Sequence, residues 1–222
     1  MKSQDTETPI LFITDLDGTL IESRQAIADA INATLLHFQC QPMEDQKLFR
    51  LVGIPISKVF AQYFSEQQLM EAVSFYRSQL VKDGARKTRV MPGALEVLSS
   101  FRRHRIKIFV ASNKISSLTQ IVLEQQGLSG FIHGVVGSDL APPKPHPGMI
   151  LHAMQAVPAK RTIMFGDRPE DIQAGQSAGA ETIFLCGEFN ELLAQNQIRP
   201  NRQVSSWDDV KTLLVPPPAG IR

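Results

Sequence analysis

The sequence predicts an α/β protein in which a parallel sheet lies between layers of helices, with an all-helical segment inserted after the first strand. Three observations predict it. An apolar run from Ile10 to Thr14 ends at two carboxylates, and such a run is typical of a strand buried on both faces. Residues 24–88 contain helical patterns and no convincing strand. From Pro92 onward strands and helices alternate, which favours parallel strands joined by right-handed crossovers.

The helical segment is predicted to hold three or four helices. Apolar residues recur at helical spacing between residues 24 and 39, and Ser23 before them is a suitable N-cap. Three more helices are predicted, at 44–51, 57–63 and 66–81. Gly53 and Pro55 separate the first two of these, and Ser65 precedes the third in the position of a cap.

The rest of the chain is predicted to alternate. Helices are expected at 92–105, 116–126, 147–156 and 170–178. Strands are expected at 106–111, 134–137, 162–165 and 182–185. Gly127 and Gly179 end two of the helices. The sequence therefore predicts a core domain of residues 1–22 and 89–222, with an all-α domain of residues 23–88 inserted into it.

Composition limits the classes of function. The chain has 222 residues, of which 43% are hydrophobic, so it can bury a sizeable core. Its formal net charge is +1, which gives no electrostatic case for a nucleic acid or an anionic membrane as partner. The two cysteines, Cys40 and Cys186, make neither a disulfide framework nor a zinc site.

Neither a targeting segment nor a membrane span is expected. Residues 1–9 form a loose polar leader unlike a secretory signal, and no segment approaches the roughly 20 apolar residues that cross a bilayer. The proline-rich tail at 216–220 cannot continue a helix and is predicted to be disordered. We expect a cytoplasmic monomer or homodimer that binds neither nucleic acid nor membrane.

Polar residues follow four of the predicted strands. They are Asp15 with Asp17, Ser112, Lys144, and Asp167 with Asp171. Because parallel strands end at one edge of a sheet, these groups are expected to converge there. Carboxylates that hold Mg²⁺, together with a hydroxyl and an ammonium that bind phosphoryl oxygens, suit phosphoryl transfer.

With these residues in place, the chain resembles the haloacid dehalogenase superfamily, and within it the phosphoglycolate phosphatase-like group with an α-helical cap. The four motifs occur in order: Asp15-Leu16-Asp17-Gly18-Thr19-Leu20, Ser112, Lys144-Pro145, and Gly166-Asp167 with Asp171. The resemblance covers nearly all of residues 10–215. It implies a Rossmann-like three-layer α/β/α core with a parallel sheet, plus an inserted all-α helical cap domain.

The resemblance also implies a nucleophile and a metal site. Asp15 would attack phosphorus and form an aspartyl-phosphate. Asp17 would act first as the general acid for the leaving group and then as the base for the hydrolytic water. Mg²⁺ would be held by the Asp15 carboxylate, the Asp17 backbone carbonyl and Asp167, with Asp171 supporting the metal site from its edge.

Binding of the phosphoryl group is implied for three other residues. Ser112 and Lys144 would contact the phosphoryl oxygens, and Lys144 would also hold Asp15 in place. The backbone N–H of Gly18 would help to bind the same oxygens. An aspartate at position 17 favours phosphate ester hydrolysis or phosphomutase chemistry, because the dehalogenases of this fold lack it.

Weaker expectations concern the loop after the second core strand and the cap. Asn113 is expected to brace its loop or to contact the phosphate, whereas Lys114 is expected to be merely exposed. Specificity is expected to depend on the turn around Gly53, where Arg50 or Lys58 would contact a distal group of the substrate.

The predicted function is Mg²⁺-dependent hydrolysis of a small phosphorylated metabolite, with phosphoglycolate as the best single substrate. A sugar-phosphate phosphatase, a nucleotidase or a pyrophosphatase would use the same core with a different cap. A phosphomutase would return the phosphoryl group to its sugar. A non-catalytic binding protein on this fold is expected to have lost one of Asp15, Asp17, Lys144 or Asp167, and this chain keeps all four.

Overall fold

The structure, a computed structural model, describes residues 9–215, and these residues form two sheets. The strands are β1 (Ile10–Thr14), β2 (Ile21–Glu22), β3 (Arg89–Val90), β4 (Lys107–Ala111), β5 (Gly134–Val136), β6 (Arg161–Gly166), β7 (Glu181–Leu185) and β8 (Arg202–Val204). Six strands form a parallel sheet in the order β5-β4-β1-β6-β7-β8, and β2 pairs with β3. The central position of β1 brings its end between the ends of β4 and β6.

The helices belong to two groups, one that packs on the parallel sheet and one in the inserted segment. They are α1 (Arg24–His37), α2 (Asp45–Leu51), α3 (Ile56–Phe60), α4 (Glu66–Lys87), α5 (Ala94–Arg103), α6 (Ser116–Gln125), the 3₁₀ turn Ser129–Phe131, α7 (Gly148–Ala156), α8 (Pro169–Ser177), α9 (Asn190–Gln195) and α10 (Trp207–Leu214). Residues of α5, α6 and α10 cover one face of the sheet, and residues of α7 and α8 cover the other. The predicted three-layer α/β/α fold is confirmed. No helix within residues 9–215 combines the length and apolarity needed to cross a membrane.

Both faces of β1 are buried, which explains its unbroken apolar run. On one face, the Phe12 ring packs against those of Phe101 and Trp207, with ring centroids 5.0 and 6.1 Å apart. On the other face, Leu11 and Ile13 pack with residues of α7 and α8. This burial fixes the direction of β1 and therefore the position of the residues that follow it.

Helices α1–α4, which we call the cap helices, pack around an apolar cluster of their own. Phe60 and Tyr76 meet edge to face in this cluster, with ring centroids 5.8 Å apart. The chain enters and leaves the cap helices through β2 and β3, which we call the hinge strands. They pair antiparallel, with Ile21 opposite Val90 and Glu22 opposite Arg89.

Several elements differ from the sequence-based expectation. Ser23 is the N-cap residue of α1, as predicted, but its hydroxyl donates to Asp17 Oδ1 at 2.5 Å and makes no capping bond. Helix α4 continues to Lys87, beyond the predicted end at 81. The hinge strands and β8 were not predicted, since strands of two or three residues are too short to show a period. Helices α9 and α10 were not predicted either. The predicted tail at 216–220 and nearly all of the leader at 1–9 lie outside the described residues.

Candidate active site

Asp15 and Asp17 lie directly beyond β1, at the edge where the parallel strands end. The Asp15 N–H donates to the carbonyl of Phe165 at 2.8 Å and so extends the pairing of β1 with β6. Leu16 between the two acids is fully buried, and the acids themselves are 6% and 5% exposed. Both acids line one cavity beneath the cap helices. The end of β1 therefore presents two nearly buried carboxylates to the same space.

Lys144 supplies a buried cation to this edge of the sheet. Its Nζ lies 2.6 Å from Asp15 Oδ1, 2.6 Å from Asp171 Oδ1 and 2.7 Å from the carbonyl oxygen of Ala111. These three acceptors match the three N–H donors of an ammonium group. Burial lowers the pKa of Lys144, but Asp15 and Asp171 more than offset that effect, so the pKa is raised and Lys144 remains protonated.

Asp15, Asp167 and Asp171 form an acidic cluster around this lysine. One carboxylate oxygen of each lies within 4.8 Å of the other two. Burial, partly opposed by Lys144 and reinforced by the neighbouring carboxylates, raises the pKa of Asp15 to about 7. Burial and the charges of Asp15 and Asp171 raise the pKa of Asp167 well above its usual range. One ammonium does not balance three carboxylates, so an oxygen-binding divalent cation fits this cluster.

The acidic cluster predicts that Mg²⁺ stabilises the protein in a pH-dependent way. The folded-state pKa of Asp15, about 7, lies above its ordinary value of 3.8, so between these values the folded state binds more protons than the unfolded state. Stability without metal should therefore fall as pH rises from about 4 to about 7. Thermal unfolding should show a Mg²⁺-induced rise in Tm at about pH 7.5 that exceeds the rise at about pH 5 by roughly 3 °C or more.

The control for this measurement is Asp167→Asn, which removes a carboxylate from the cluster without a large change in volume. This variant should lose most of the Mg²⁺ effect at the higher pH. Equal rises in Tm at both pH values, or a full rise in the variant, would show that the cation binds elsewhere.

Gly18 and Thr19 form the turn that positions Asp167. Gly18 has φ +89°, and a Cβ there would lie 2.4 Å from Asp167 Oδ2. The Thr19 hydroxyl, which the sequence analysis did not assign, donates to Asp167 Oδ1 at 2.8 Å. The Gly18 N–H, predicted to contact the phosphoryl group, donates instead to the carbonyl of Ile21 at 2.8 Å. Gly18 thus contributes space for Asp167 and a left-handed turn rather than a free donor.

The Asp17 carboxylate is not one of the three that form the acidic cluster, and it has two partners of its own. Ser23, at the start of the cap helices, donates to Oδ1, and the Lys114 ammonium forms an ion pair with Oδ2. The Lys114 side chain is only 12% exposed, so the expectation that it is merely exposed is wrong. In the sequence, nothing in the loop after β4 indicated that its lysine would contact Asp17. Asp17 is thereby held at the cavity, separate from the site that fits a cation.

Ser112 and Asn113, at the end of β4, have different surroundings. Ser112 is 1% exposed and lines the cavity beside Asp15. The Asn113 side chain accepts from the Lys144 N–H at 2.9 Å and donates to the carbonyl of Gly53 at 2.9 Å. Asn113 therefore braces the Lys144 loop and joins it to the cap, whereas the Ser112 hydroxyl accepts from the Lys114 N–H at 3.2 Å.

Arg168, which the sequence analysis did not single out, makes a second contact between the core and the cap. Its Nη1 donates to the carbonyl of Val52 at 2.6 Å, and its guanidinium lies 4.4 Å from the centre of the Phe189 ring. Gly53, the next residue after Val52, has φ +85°, and a Cβ there would lie 2.7 Å from Arg168 Cδ. The turn at Gly53 thus depends on a residue without a side chain.

Replacing Gly53 with alanine is expected to lower kcat/KM for a reaction in this cavity about 10- to 100-fold. The new Cβ would displace Arg168, and the positive φ would itself cost about 1 kcal/mol, so the turn would move away from the cavity. Steady-state kinetics of Gly53→Ala should be compared with Gly187→Ala, since a Cβ at Gly187 meets nothing within 4 Å. Unchanged kinetics in the Gly53 variant would show that the position of this turn does not matter for turnover.

The cap side of the cavity differs from the sequence-based expectation. Arg50, predicted to contact the substrate, is exposed on α2 and is not among the residues that line the cavity. Lys58 is likewise exposed. Arg77 of α4 lines the cavity instead, beside Tyr76. The helical period of α4 predicted that one face of this helix is buried. It did not predict that Arg77 on this helix lines the cavity.

Known proteins match nearly the whole of this fold. Residues 10–185 match the family described as Haloacid dehalogenase-like hydrolase. A phosphoglycolate phosphatase of Rhodospirillum rubrum is 29% identical over 191 residues, which cover 80% of this chain and 79% of that protein. A protein of Dickeya dadantii named "Probable phosphatase IndB" is 32% identical over 185 residues, which cover 78% of this chain and 79% of that protein.

The arrangement of the elements also matches a solved structure. A crystal structure described as a predicted phosphatase from Clostridium acetobutylicum superimposes with a TM-score of 0.80 at 26% identity. The superposition covers 93% of this chain and 97% of that chain. The similarity therefore includes the cap helices as well as the parallel sheet.

Proposed function

Because this chain belongs to the haloacid dehalogenase-like hydrolase family, we propose that it is a Mg²⁺-dependent phosphatase that hydrolyses a small phosphorylated metabolite through an aspartyl-phosphate on Asp15. One observation carries the proposal. A buried carboxylate at the end of β1 is fixed by the Lys144 ammonium at 2.6 Å and shares a cavity with a second carboxylate, Asp17.

Asp15 is placed to act as the nucleophile. Lys144 holds one of its oxygens, so the carboxylate keeps a fixed orientation towards the cavity. An oxygen of Asp15 attacks phosphorus, the bond from phosphorus to the ester oxygen breaks, and the phosphoryl group is transferred to Asp15. A divalent cation held by Asp15, Asp167 and the Asp17 carbonyl would offset charge on the phosphoryl oxygens during this transfer.

Asp17 handles the protons of both half-reactions. In the first, Asp17 receives a proton from the Lys114 ammonium paired with it and passes that proton to the ester oxygen of the leaving group. In the second, it takes a proton from the water that attacks phosphorus, and the bond between phosphorus and Asp15 breaks to release inorganic phosphate. The contacts of Asp17 with Ser23 and Lys114 keep it at the cavity, where the leaving group must lie.

Phosphoglycolate is the substrate we propose first, since a relative named phosphoglycolate phosphatase aligns over four fifths of the chain. A sugar phosphate, a nucleotide or pyrophosphate would meet the same core residues and differ only in contacts with the cap. We further propose that the enzyme acts in the cytoplasm as a monomer or homodimer.

Phosphate release from a panel of substrates tests this function. The panel contains 2-phosphoglycolate, sugar phosphates, nucleoside monophosphates, pyrophosphate and p-nitrophenyl phosphate, each assayed with Mg²⁺ and with excess chelator. We expect Mg²⁺-dependent release from a few of these substrates. A folded protein that releases phosphate from none of them would contradict the proposal, and sugar-phosphate isomerisation without phosphate release would identify a mutase instead.

A further inference from the structure

The cavity that Asp15 and Asp17 line is also lined by two neighbouring polar residues of α4, Tyr76 and Arg77. Tyr76 is 5% exposed, yet its hydroxyl makes no hydrogen bond with any residue between 9 and 215. The hydroxyl lies at the cavity without a protein partner, so it can donate a hydrogen bond to a ligand there. Burial, and after it the charge of Asp17, raises the pKa of Tyr76, so the hydroxyl remains a donor.

Arg77 is half-buried and also has no partner in the described part of the chain, where it forms neither an ion pair nor a hydrogen bond. Asp139, the acid whose charge interacts with that of Arg77, accepts hydrogen bonds from the N–H and hydroxyl of Ser116 at 2.7 and 2.9 Å instead. A guanidinium that lines a cavity and lacks a carboxylate partner can bind an anion from outside.

Ser57 and Ser138 also line the cavity, but part of its wall is apolar. That part is made of side chains from α1, the turn after α2, α3 and α6, namely Ile27, Ile31, Ile54, Ile56 and Leu118. These side chains offer no hydrogen bonds to the hydroxyl groups of a sugar. A hydrocarbon linker would lose little on entering this part of the cavity, whereas unpaired hydroxyl groups would be penalised.

We propose that Arg77, assisted by the Tyr76 hydroxyl, determines specificity by binding a second anionic group at the far end of the substrate. The preferred substrates are then phosphate monoesters whose leaving group is a short hydrocarbon chain that ends in a carboxylate. This inference rests on the proposed phosphatase function and assigns its substrate class. It replaces Arg50 with Arg77 as the cap arginine that contacts substrate.

Paired substrates test this inference. Each pair combines a carboxylate-bearing ester with a neutral one of similar size: 2-phosphoglycolate with hydroxyacetone phosphate, and 3-phosphooxypropanoate with propyl phosphate. The quantity measured is the selectivity, defined as the ratio of kcat/KM for the carboxylate ester to that for its neutral counterpart. For at least one pair, wild type should favour the carboxylate ester, and Arg77→Met should lower the selectivity about 10-fold or more.

The loss should appear mainly as a higher KM, because the carboxylate lies away from the reacting phosphorus. Arg77→Lys should keep part of the selectivity, and Tyr76→Phe should lower it by a smaller factor. Arg50→Met is the matched control, since it removes the same charge from an exposed position of the cap helices, and it should leave the selectivity unchanged. An unchanged selectivity in Arg77→Met, or an equal loss in Arg50→Met, would overturn the inference.

Hydrolysis of p-nitrophenyl phosphate separates this inference from the proposed function. Its leaving group carries no carboxylate, so Arg77→Met should lower kcat/KM for it by a much smaller factor than for the carboxylate esters, and thermal unfolding of the variant shows that it folds. If wild type releases phosphate from none of the substrates in Mg²⁺, both proposals fail. If it releases phosphate from some of them and Arg77→Met leaves the selectivity unchanged, only the role of Arg77 is refuted.

A binding measurement gives a readout that needs no turnover. Calorimetric titration of the Asp15→Asn protein with 2-phosphoglycolate and 3-phosphooxypropanoate should give affinities that fall about 10-fold for at least one of the two when Arg77→Met is added. Equal affinities with and without the arginine would overturn the inference independently of any assay of phosphate release.

Discussion

Replacing Asp15 with asparagine is expected to lower kcat by on the order of 10⁴-fold or more, to the limit of detection. An amide in place of the carboxylate cannot form the acyl phosphate, and losses of this size are typical when a nucleophile is removed. The replacement keeps the shape of the side chain, so the cavity and the contacts of Lys144 with Asp171 and the Ala111 carbonyl should persist. Phosphate release from the best substrate, followed over hours with Mg²⁺, is the measurement.

The same variant should remain folded. Because burial raises the pKa of Asp15 to about 7, ionisation of this carboxyl lowers stability near neutral pH. Removal of the charge should therefore not lower the Tm by more than about 2 °C. Asp83→Asn, an identical change at an exposed site on α4, should leave both activity and Tm unaltered. Retention of more than about a tenth of the activity by the Asp15 variant would remove this residue from the mechanism.

Replacing Lys144 with methionine is expected to have the largest effect on stability. The variant would keep the length of the side chain but would leave Asp15, Asp171 and the Ala111 carbonyl without their shared donor. Removal of one partner from a buried ion pair typically costs about 3–5 kcal/mol, which corresponds to roughly 6–20 °C in Tm. Activity should fall as well, because nothing then fixes the orientation of Asp15.

Thermal unfolding with and without Mg²⁺ is the measurement for Lys144→Met. Mg²⁺ should restore part of the lost stability, because it offsets the negative charge of the buried carboxylates. The double variant Lys144→Met with Asp171→Asn should be less destabilised than the two single effects added together, since it also removes one of the uncompensated charges. Lys58→Met, at an exposed position of α3, serves as the control. A Tm for Lys144→Met within about 2 °C of wild type would show that this lysine is not a structural cation.

Much of the site could be predicted because it depends on β1 and its neighbours. A fully apolar run that ends at Asp15 has few alternatives to a central parallel strand, and all parallel strands of one sheet end at the same edge. The sequence therefore placed Lys144 and Asp167 beside Asp15 without any knowledge of distances. The membership of the chain in the haloacid dehalogenase-like hydrolase family, expected from the same residues, is confirmed.

The remaining site residues could not be predicted, because their positions depend on how the cap helices lie on the core. Arg50 and Arg77 are both arginines on amphipathic helices, and helical period alone does not decide which of them faces the sheet edge. Lys114 follows a strand end in sequence, but its reach to Asp17 depends on the path of a loop. The contact of Arg168 could not be predicted either, since its partner is the backbone carbonyl of Val52 in the inserted segment.

The hinge strands have a consequence for how such an enzyme can diversify. Because Ile21 and Val90 are directly paired, the chain leaves the core and returns to it at adjacent points, and the whole intervening stretch can be treated as a cassette. A recombination event that exchanged this cassette would leave the order and register of the parallel strands intact. Residues of the core, where bonds would break and form, can thus evolve separately from those of the inserted segment. Both sets nevertheless belong to a single gene.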